Sequence, residues 1–351
     1  MSPTSPIISA QPLGLRWNTI DPFLFCVHHD DRYPNGNAAL GPDASLAGRD
    51  IGQDFASKDG WSMYHGAAVP GFPAHPHRGF ETVTIVREGL IDHSDSLGAS
   101  ARFGGGDVQW LTAGRGIVHA EMFPLLQPDH PNRLELFQIW LNLPGSHKMV
   151  EPHFKMLWSE RVPRHAVPDA TGAVTTVTCI AGALRGVEGK PTPAPPPDSW
   201  AAQPQADVAI WTITMAPLAR WTLPRADGPD THRCLYFFEG SSLVIGGQTL
   251  QRHTGLEVRC DSDIELVNGP HTAQILVLQG KPIAEPVAQH GPFVMNTTAE
   301  IHQAFTDYQN TRFGGWPWPD DAPVHGKEPR RFATHPDGTC ERLQIQPITE
   351  E

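Results

Sequence analysis

The chain has 351 residues, 39% of them hydrophobic and 18% charged, with 35 Pro, 33 Gly and a formal net charge of −12. That is a globular composition, long enough for two domains, and its acidic balance speaks against broad nucleic-acid binding, which needs a basic face. No stretch approaches the length of a membrane span, no basic region precedes an apolar run at "MSPTSPIISAQPLGLRWN", and the five cysteines are widely spaced with no CxxC; a cytoplasmic protein with free thiols is expected, without signal peptide, membrane contact or disulfide framework.

In chain order, "HHDD" at 28–31 is dense in metal-ligand types but stands in a loop-rich region. The segment from about His28 to Gly71 reads as an insertion. "GFPAHPHRGFETVTIVREG", residues 71–89, places His75 and His77 two apart in a Pro- and Gly-rich lead-in to a strand. In that strand Val83 and Ile85 share one face, and Thr82, Thr84 and Val86 the other. "DHSDS", with Asp92, His93 and Asp95, reads as a polar turn. "GGDVQWLTAG" alternates around Val108 and Trp110. "RLELFQIWLNLPG" sets Leu134, Leu136, Gln138 and Trp140 against Glu135, Phe137, Ile139 and Leu141, which suits a strand covered on both sides.

A second strand-rich block begins near Val174. It holds a Pro-rich surface loop at 189–205 and a tight hairpin at Gly246–Gly247. Aligning Gly89 with Gly240 makes the two blocks a weak repeat: Ala226 and Gly228 fall opposite His75 and His77, Pro270 opposite His119, and Thr272 opposite Glu121. The second copy has therefore lost the polar cluster, and His232 and His271 stand alone there. "NTTAEIHQAFTDYQNTRF" predicts a helix capped at Thr297 or Thr298 and ended by Gly314–Gly315. A Pro-rich tail follows, and Trp316 and Trp318 either pin it to the body or form an exposed aromatic pair for a partner. The expected division is 1–155, 156–290 and 291–351: a metal-binding barrel carrying the 28–71 insertion, a degenerate barrel, and a helix with its tail.

The chemistry concentrates in two short words. "HPH" offers His75 and His77; "TAGRGIVHAEMF" offers His119 and Glu121, again two apart and so on one face of a strand. If the pairs face each other, three imidazoles and one carboxylate converge, a donor set for a first-row transition metal rather than for a structural thiolate zinc site. Arg78 and Arg115 flank the pairs and either support a carboxylate or lie in solvent.

These words resemble the cupin superfamily, whose first motif here is His75, His77 and Glu81 and whose second is Gly116 and His119. "HPHRGFETVT", "GDVQWLTAGRGIVHAEMF" and "EPVAQHGPFVMNT" are further similar to the signatures of the pirin family, over roughly residues 70 to 310. The resemblance implies an all-β bicupin, two jelly-roll barrels facing each other with a short C-terminal helix and a Pro-rich tail. It implies one divalent transition metal in the first barrel, iron first, with Mn, Ni, Co, Cu or Zn as alternatives, held by His75, His77, His119 and Glu121. Glu81 is the reserve ligand, its other role being a strand-end hydrogen bond. The function it implies is oxygenation of a flavonol-like aromatic substrate by O2, as in quercetin 2,3-dioxygenases, with Glu121 accepting a proton; the alternative is an iron-dependent, redox-responsive co-regulator acting through protein partners. A monomer or weak oligomer is expected.

Overall fold

The computed structural model describes residues 5–228, 230–251 and 253–343 and is almost entirely β, with a single α-helix of more than one turn among them. The chain divides into two compact units that interleave in sequence: residues 1–27, 139–144 and 160–284 form one, and residues 28–138, 145–159 and 285–351 the other. The expected domains were successive segments, whereas here the first 27 residues group with the second block, and the helix and tail with the first. The tail beyond Leu343 lies outside the described residues.

The unit built on 160–284 has a seven-stranded and a four-stranded antiparallel sheet around an apolar core that includes Trp211, Leu235, Phe237, Leu256 and Ile275. Its Leu243–Ile245 and Gln248–Leu250 strands join through Gly246 and Gly247, both at positive φ, in the hairpin that the Gly-Gly pair predicts.

The other unit carries the histidine words, and the strands that lie in it, wholly or (β1 and β8) in part, are numbered here in chain order: β1 Phe23–Tyr33, β2 Gly71–His77, β3 Phe80–Glu88, β4 Leu90–Asp95, β5 Ser100–Gly104, β6 Asp107–Thr112, β7 Ile117–Met122, β8 Asn132–Asn142, β9 His153–Leu157, β10 Arg331–Thr334 and β11 Cys340–Leu343. One sheet contains β9-β6-β3-β8-β1; the other runs β11-β10-β5-β4-β7-β2. Val86, Ile91, Phe103, Leu111, Ile117, Phe123, Leu134 and Leu136 meet in one core cluster, so these residues mark the inward faces of β3 to β8. By alternation, Thr82 and Thr84 share the inward face of β3 with Val86, while Glu81, Val83 and Ile85 point the other way.

Three sequence expectations change here. "HHDD" at 28–31 lies not in a loop but on β1. "HPH" is not a loop before a strand but part of β2, an edge strand paired with β7. An edge position is where Pro73 and Pro76 do least harm, because the outward side of the strand makes no ladder bond. "DHSDS" is likewise no turn: Asp92, His93 and Asp95 lie on β4, fully buried. Asp92 forms a buried ion pair with Arg102 at 2.6 Å, and His93 and Asp95 turn inward.

The helix α1, Thr298–Thr311, is capped by Thr297, whose side chain accepts from the Glu300 N–H while Glu300 reaches back, a full capping box. The tail packs along this unit. Trp318 Nε1 donates to the Asp95 carbonyl, the Ala74 N–H donates to the Asp321 carbonyl, and β10 extends the sheet beyond β5. Trp316 bonds only locally, to the Asp320 carbonyl. No described helix is long and apolar enough to cross a membrane.

Candidate metal centre

The antiparallel register of β2 and β7 sets His75 opposite His119 and His77 opposite Ile117. Between Phe72 and His75 the register slips, so that Pro73 and Ala74 together oppose Ala120. This bulge flips the parity of β2. Phe72, three residues before His75, therefore faces the same way, opposite Glu121.

His75, His77 and His119 gather with ligand atoms all within 4.8 Å of one another. Their ring centroids lie 4.5 to 4.9 Å apart. His75 Nδ1–H donates to the Pro73 carbonyl at 2.8 Å, and His77 Nδ1–H to the Pro292 carbonyl at 3.4 Å. Both bonds fix the tautomer that leaves Nε2 with a free lone pair, the form a metal ligand needs. His119 is fully buried, and neither of its ring nitrogens has a hydrogen-bond partner among the described residues. A buried imidazole with two orphan nitrogens is costly unless something binds it.

Burial pushes the pKa of His75 down to about 4, and burial with neighbouring imidazoles holds His77 and His119 well below the usual histidine value. All three are therefore neutral at pH 7. Nitrogen donors that need no deprotonation, packed this closely, fit a divalent transition ion.

Glu121 shares the inward face of β7 with His119 but lies outside the group that meets the 4.8 Å distance. Its carboxyl is buried, and Thr84 Oγ1 lies 3.1 Å from Oε1 while Gln138 Nε2 donates to Oε2 at 2.8 Å. Thr84 Oγ1 also donates to Gln138 Oε1 at 2.7 Å. Thr84 has one proton and two acceptors facing it, so the triangle closes fully only when Glu121 is protonated. Burial raises the Glu121 pKa in the same direction, against the lowering effects of His93, Thr84 and Gln138.

Glu81 is turned to the opposite face of β3 from Thr84 and accepts a hydrogen bond from the Thr112 hydroxyl at 2.7 Å. It is not among the gathered ligands, and its strand hydrogen bond is the alternative role named for it. Arg78 supports no site carboxylate: it is buried, donates to Asp307 at 2.7 Å and to the Arg115 carbonyl, and lies over Phe313. Arg115 is exposed and pairs with Glu151. In "HHDD", His28 meets Glu135, His29 and Asp31 both bond Tyr64, and Asp30 pairs with Arg133. His271 Nδ1 bonds Ser241 on the surface, and His232 is exposed.

Four contributors were missed by sequence reasoning. His93 sits opposite Glu121 in the β4–β7 register, 5.6 Å from His119 ring to ring, with Nε2 on Asp95 at 3.1 Å and its ring stacked on Phe154. Thr84 and Gln138 hold Glu121, and the Pro292 carbonyl orients His77. Parity alone put Thr84 and Gln138 on definite faces, but their neighbours were not legible. The "HGPF" word containing Pro292 was visible without a role; Arg78 N–H donates to the Pro292 carbonyl and Val294 N–H to the Arg78 carbonyl, which seats it beside β2.

Residues 14–141 match the family model described as Pirin, and residues 210–314 the one described as Pirin C-terminal cupin domain. A Pseudomonas aeruginosa protein named "Putative quercetin 2,3-dioxygenase" is 37% identical over 244 residues, 69% of this chain and 79% of that protein. Human Pirin is 36% identical over 258 residues, 72% of this chain and 80% of its own length. In fold, the chain is similar to a crystal structure of a quercetin 2,3-dioxygenase from Acinetobacter baumannii, with a TM-score of 0.66 at 24% identity over 89% of this chain and 99% of that one.

Proposed function

This chain belongs to the pirin family, and on that premise we propose that it is a metal-dependent dioxygenase of quercetin 2,3-dioxygenase type, with one divalent transition ion held by His75, His77, His119 and Glu121. The observation that carries the reading is the gathering of three neutral imidazoles inside the barrel, with both nitrogens of His119 buried and unbonded. The names of the Pseudomonas relatives add the reaction type.

A divalent transition ion bound there supplies Lewis acidity toward a flavonol hydroxyl and the redox chemistry that dioxygen requires. The donor set of three nitrogens and one oxygen accepts several such ions, with iron first in this reading. The chain's own residues do the rest. The Pro73 and Pro292 carbonyls keep each Nε2 aimed and unprotonated. Ionised beside a bound dication, Glu121 accepts the substrate's hydroxyl proton on its carboxylate, with the Gln138 N–H and the Thr84 hydroxyl turned toward it. The apolar inward faces of β3 to β8 exclude water, which strengthens that hydrogen bonding. In the overall reaction both atoms of dioxygen enter the product, the flavonol ring opens and carbon monoxide leaves.

The test is anaerobic reconstitution with Fe, Mn, Ni, Co or Cu in turn, then addition of quercetin and dioxygen. Carbon monoxide release with at least one ion is expected; none with any of the five sinks the reading. The co-regulator alternative rests on resemblance, and no feature of the site favours it over turnover.

A further inference from the structure

The three histidines are not equally sheltered. His77 and His119 are buried, while His75 is partly exposed, so His75 is the side of the cluster nearest solvent. What stands on that side is aromatic. The bulge in β2 turns Phe72 inward next to His75, with ring centroids 6.3 Å apart. Phe72 in turn meets His65 at 5.6 Å and Phe55 at 6.4 Å, and Phe55 meets His65 at 5.2 Å. Tyr64 stacks on Phe72 from behind at 5.2 Å and 26°. Tyr64 is itself locked by Asp31, which accepts its hydroxyl at 2.6 Å.

Phe55, Tyr64 and His65 all come from the segment between β1 and β2. Phe55 is 40% exposed, although a phenyl ring gains by burial, and His65 is exposed too. His65 is nevertheless held in one orientation. Its Nδ1–H donates to the Gly52 carbonyl at 2.7 Å, which leaves Nε2 as an acceptor.

We propose that Phe72, Phe55 and His65 form a wall beside the histidine cluster that binds the remote ring of the flavonol-like substrate, and so act as specificity-determining residues. The end that reacts reaches His75, His77 and His119. The remote ring lies along Phe72 and Phe55, edge or face, at the 4.5 to 7 Å spacing that aromatic pairs prefer, roughly. A hydroxyl on that ring donates to His65 Nε2. An aliphatic ligand of the same reacting group gains nothing from this wall. The inference deepens the dioxygenase reading and rests on it for the substrate; it makes the segment between β1 and β2 a determinant of specificity.

The test uses the metal-loaded full chain under nitrogen. Quercetin binding is read by quenching of tryptophan fluorescence, and acetoin, an acyclic α-hydroxyketone, is competed against it. The variants are Phe55→Ala, His65→Leu and the double substitution. Each single change is expected to weaken quercetin by about three- to tenfold, as the loss of one aromatic pair or one hydrogen bond does. Acetoin affinity, metal content and far-UV circular dichroism stay as in the wild type. With dioxygen admitted, KM rises and kcat holds. Equal quercetin affinity in wild type and variants, or loss of metal along with affinity, overturns the wall. A wild type that binds quercetin no better than acetoin overturns it as well. Ring-dependent binding without carbon monoxide release supports the wall and sinks the dioxygenase reading alone.

Discussion

Thr82 and Thr84 lie two apart on the inward face of β3, both buried, yet their hydroxyls are in opposite situations. Thr84 Oγ1 contacts Glu121 at 3.1 Å and Gln138 at 2.7 Å; Thr82 Oγ1 has no partner among the described residues. Replacing each by Val keeps the shape and removes only the hydroxyl. Thr84→Val leaves the Gln138 amide oxygen short of its donor and takes one hydrogen-bond partner from the buried Glu121 carboxyl. At about 1–3 kcal/mol for an unsatisfied buried group, shared between partners that relax, a loss of about 2 kcal/mol is expected. Thr82→Val removes a buried polar atom that bonds nothing, so its effect is close to zero or slightly stabilising. Urea unfolding of the metal-free protein separates the two, read in the transition that added metal shifts to higher urea, since only the unit that binds metal is stabilised by it. A second readout follows from the hold on Glu121: chelator competition is expected to show metal affinity about 10–100-fold weaker in Thr84→Val and unchanged in Thr82→Val, the usual cost of losing a group that orients a ligand. Equal stability changes in the two variants refute the hydrogen-bond assignment. A Thr84→Val protein that loses stability but keeps full metal affinity refutes the proposed role of Glu121 as a ligand.

His119→Ala is expected to lower the metal content from one ion per chain to none, measured by elemental analysis after reconstitution, whereas Glu81→Gln retains it. Arg102→Leu leaves the buried Asp92 carboxylate without its ion pair and the Gly326 and Glu328 carbonyls without their donor. It is expected to cost about 3–5 kcal/mol, and Asp92→Asn with Arg102→Leu to recover part of that, both read by thermal unfolding. Stability of the metal-free protein depends on pH through buried imidazoles: His29 and His75 have pKa values lowered to about 4, and His77 and His119 lie well below 6.5. The unfolded chain binds more protons than the folded one below pH 6.5, so stability is full above that pH and is lost as pH falls toward 4. Asp31, raised to about 6 by burial, acts the other way, favouring the fold below pH 4 and losing that contribution as pH rises through 6. Glu121, also raised by burial, acts with Asp31. Four imidazoles outweigh two carboxyls, so the midpoint in urea falls between pH 7 and pH 5; an unchanged midpoint contradicts the burial of these histidines.

Much of the architecture was legible because it is written in local periodicity. Alternation of two predicts strands, Gly246–Gly247 a hairpin and Thr297 with Glu300 a helix start, and each depends on residues close in sequence. The two words HPH and HAE were legible as candidate ligand pairs for the same reason: i and i+2 share a face wherever a strand is regular. The sequence by itself therefore determined the all-β class and the residue types available to a metal. Tertiary structure decided which strands are neighbours and which face is inside, because parity names two faces without saying which one meets the core. On that depended the turning of Glu81 away from the histidines, the seating of Glu121 between Thr84 and Gln138, and the burial of His93 beside His119. The β2 bulge added what no periodicity encodes: one extra residue reverses parity, and so Phe72 and His75, three apart in sequence, line the same wall.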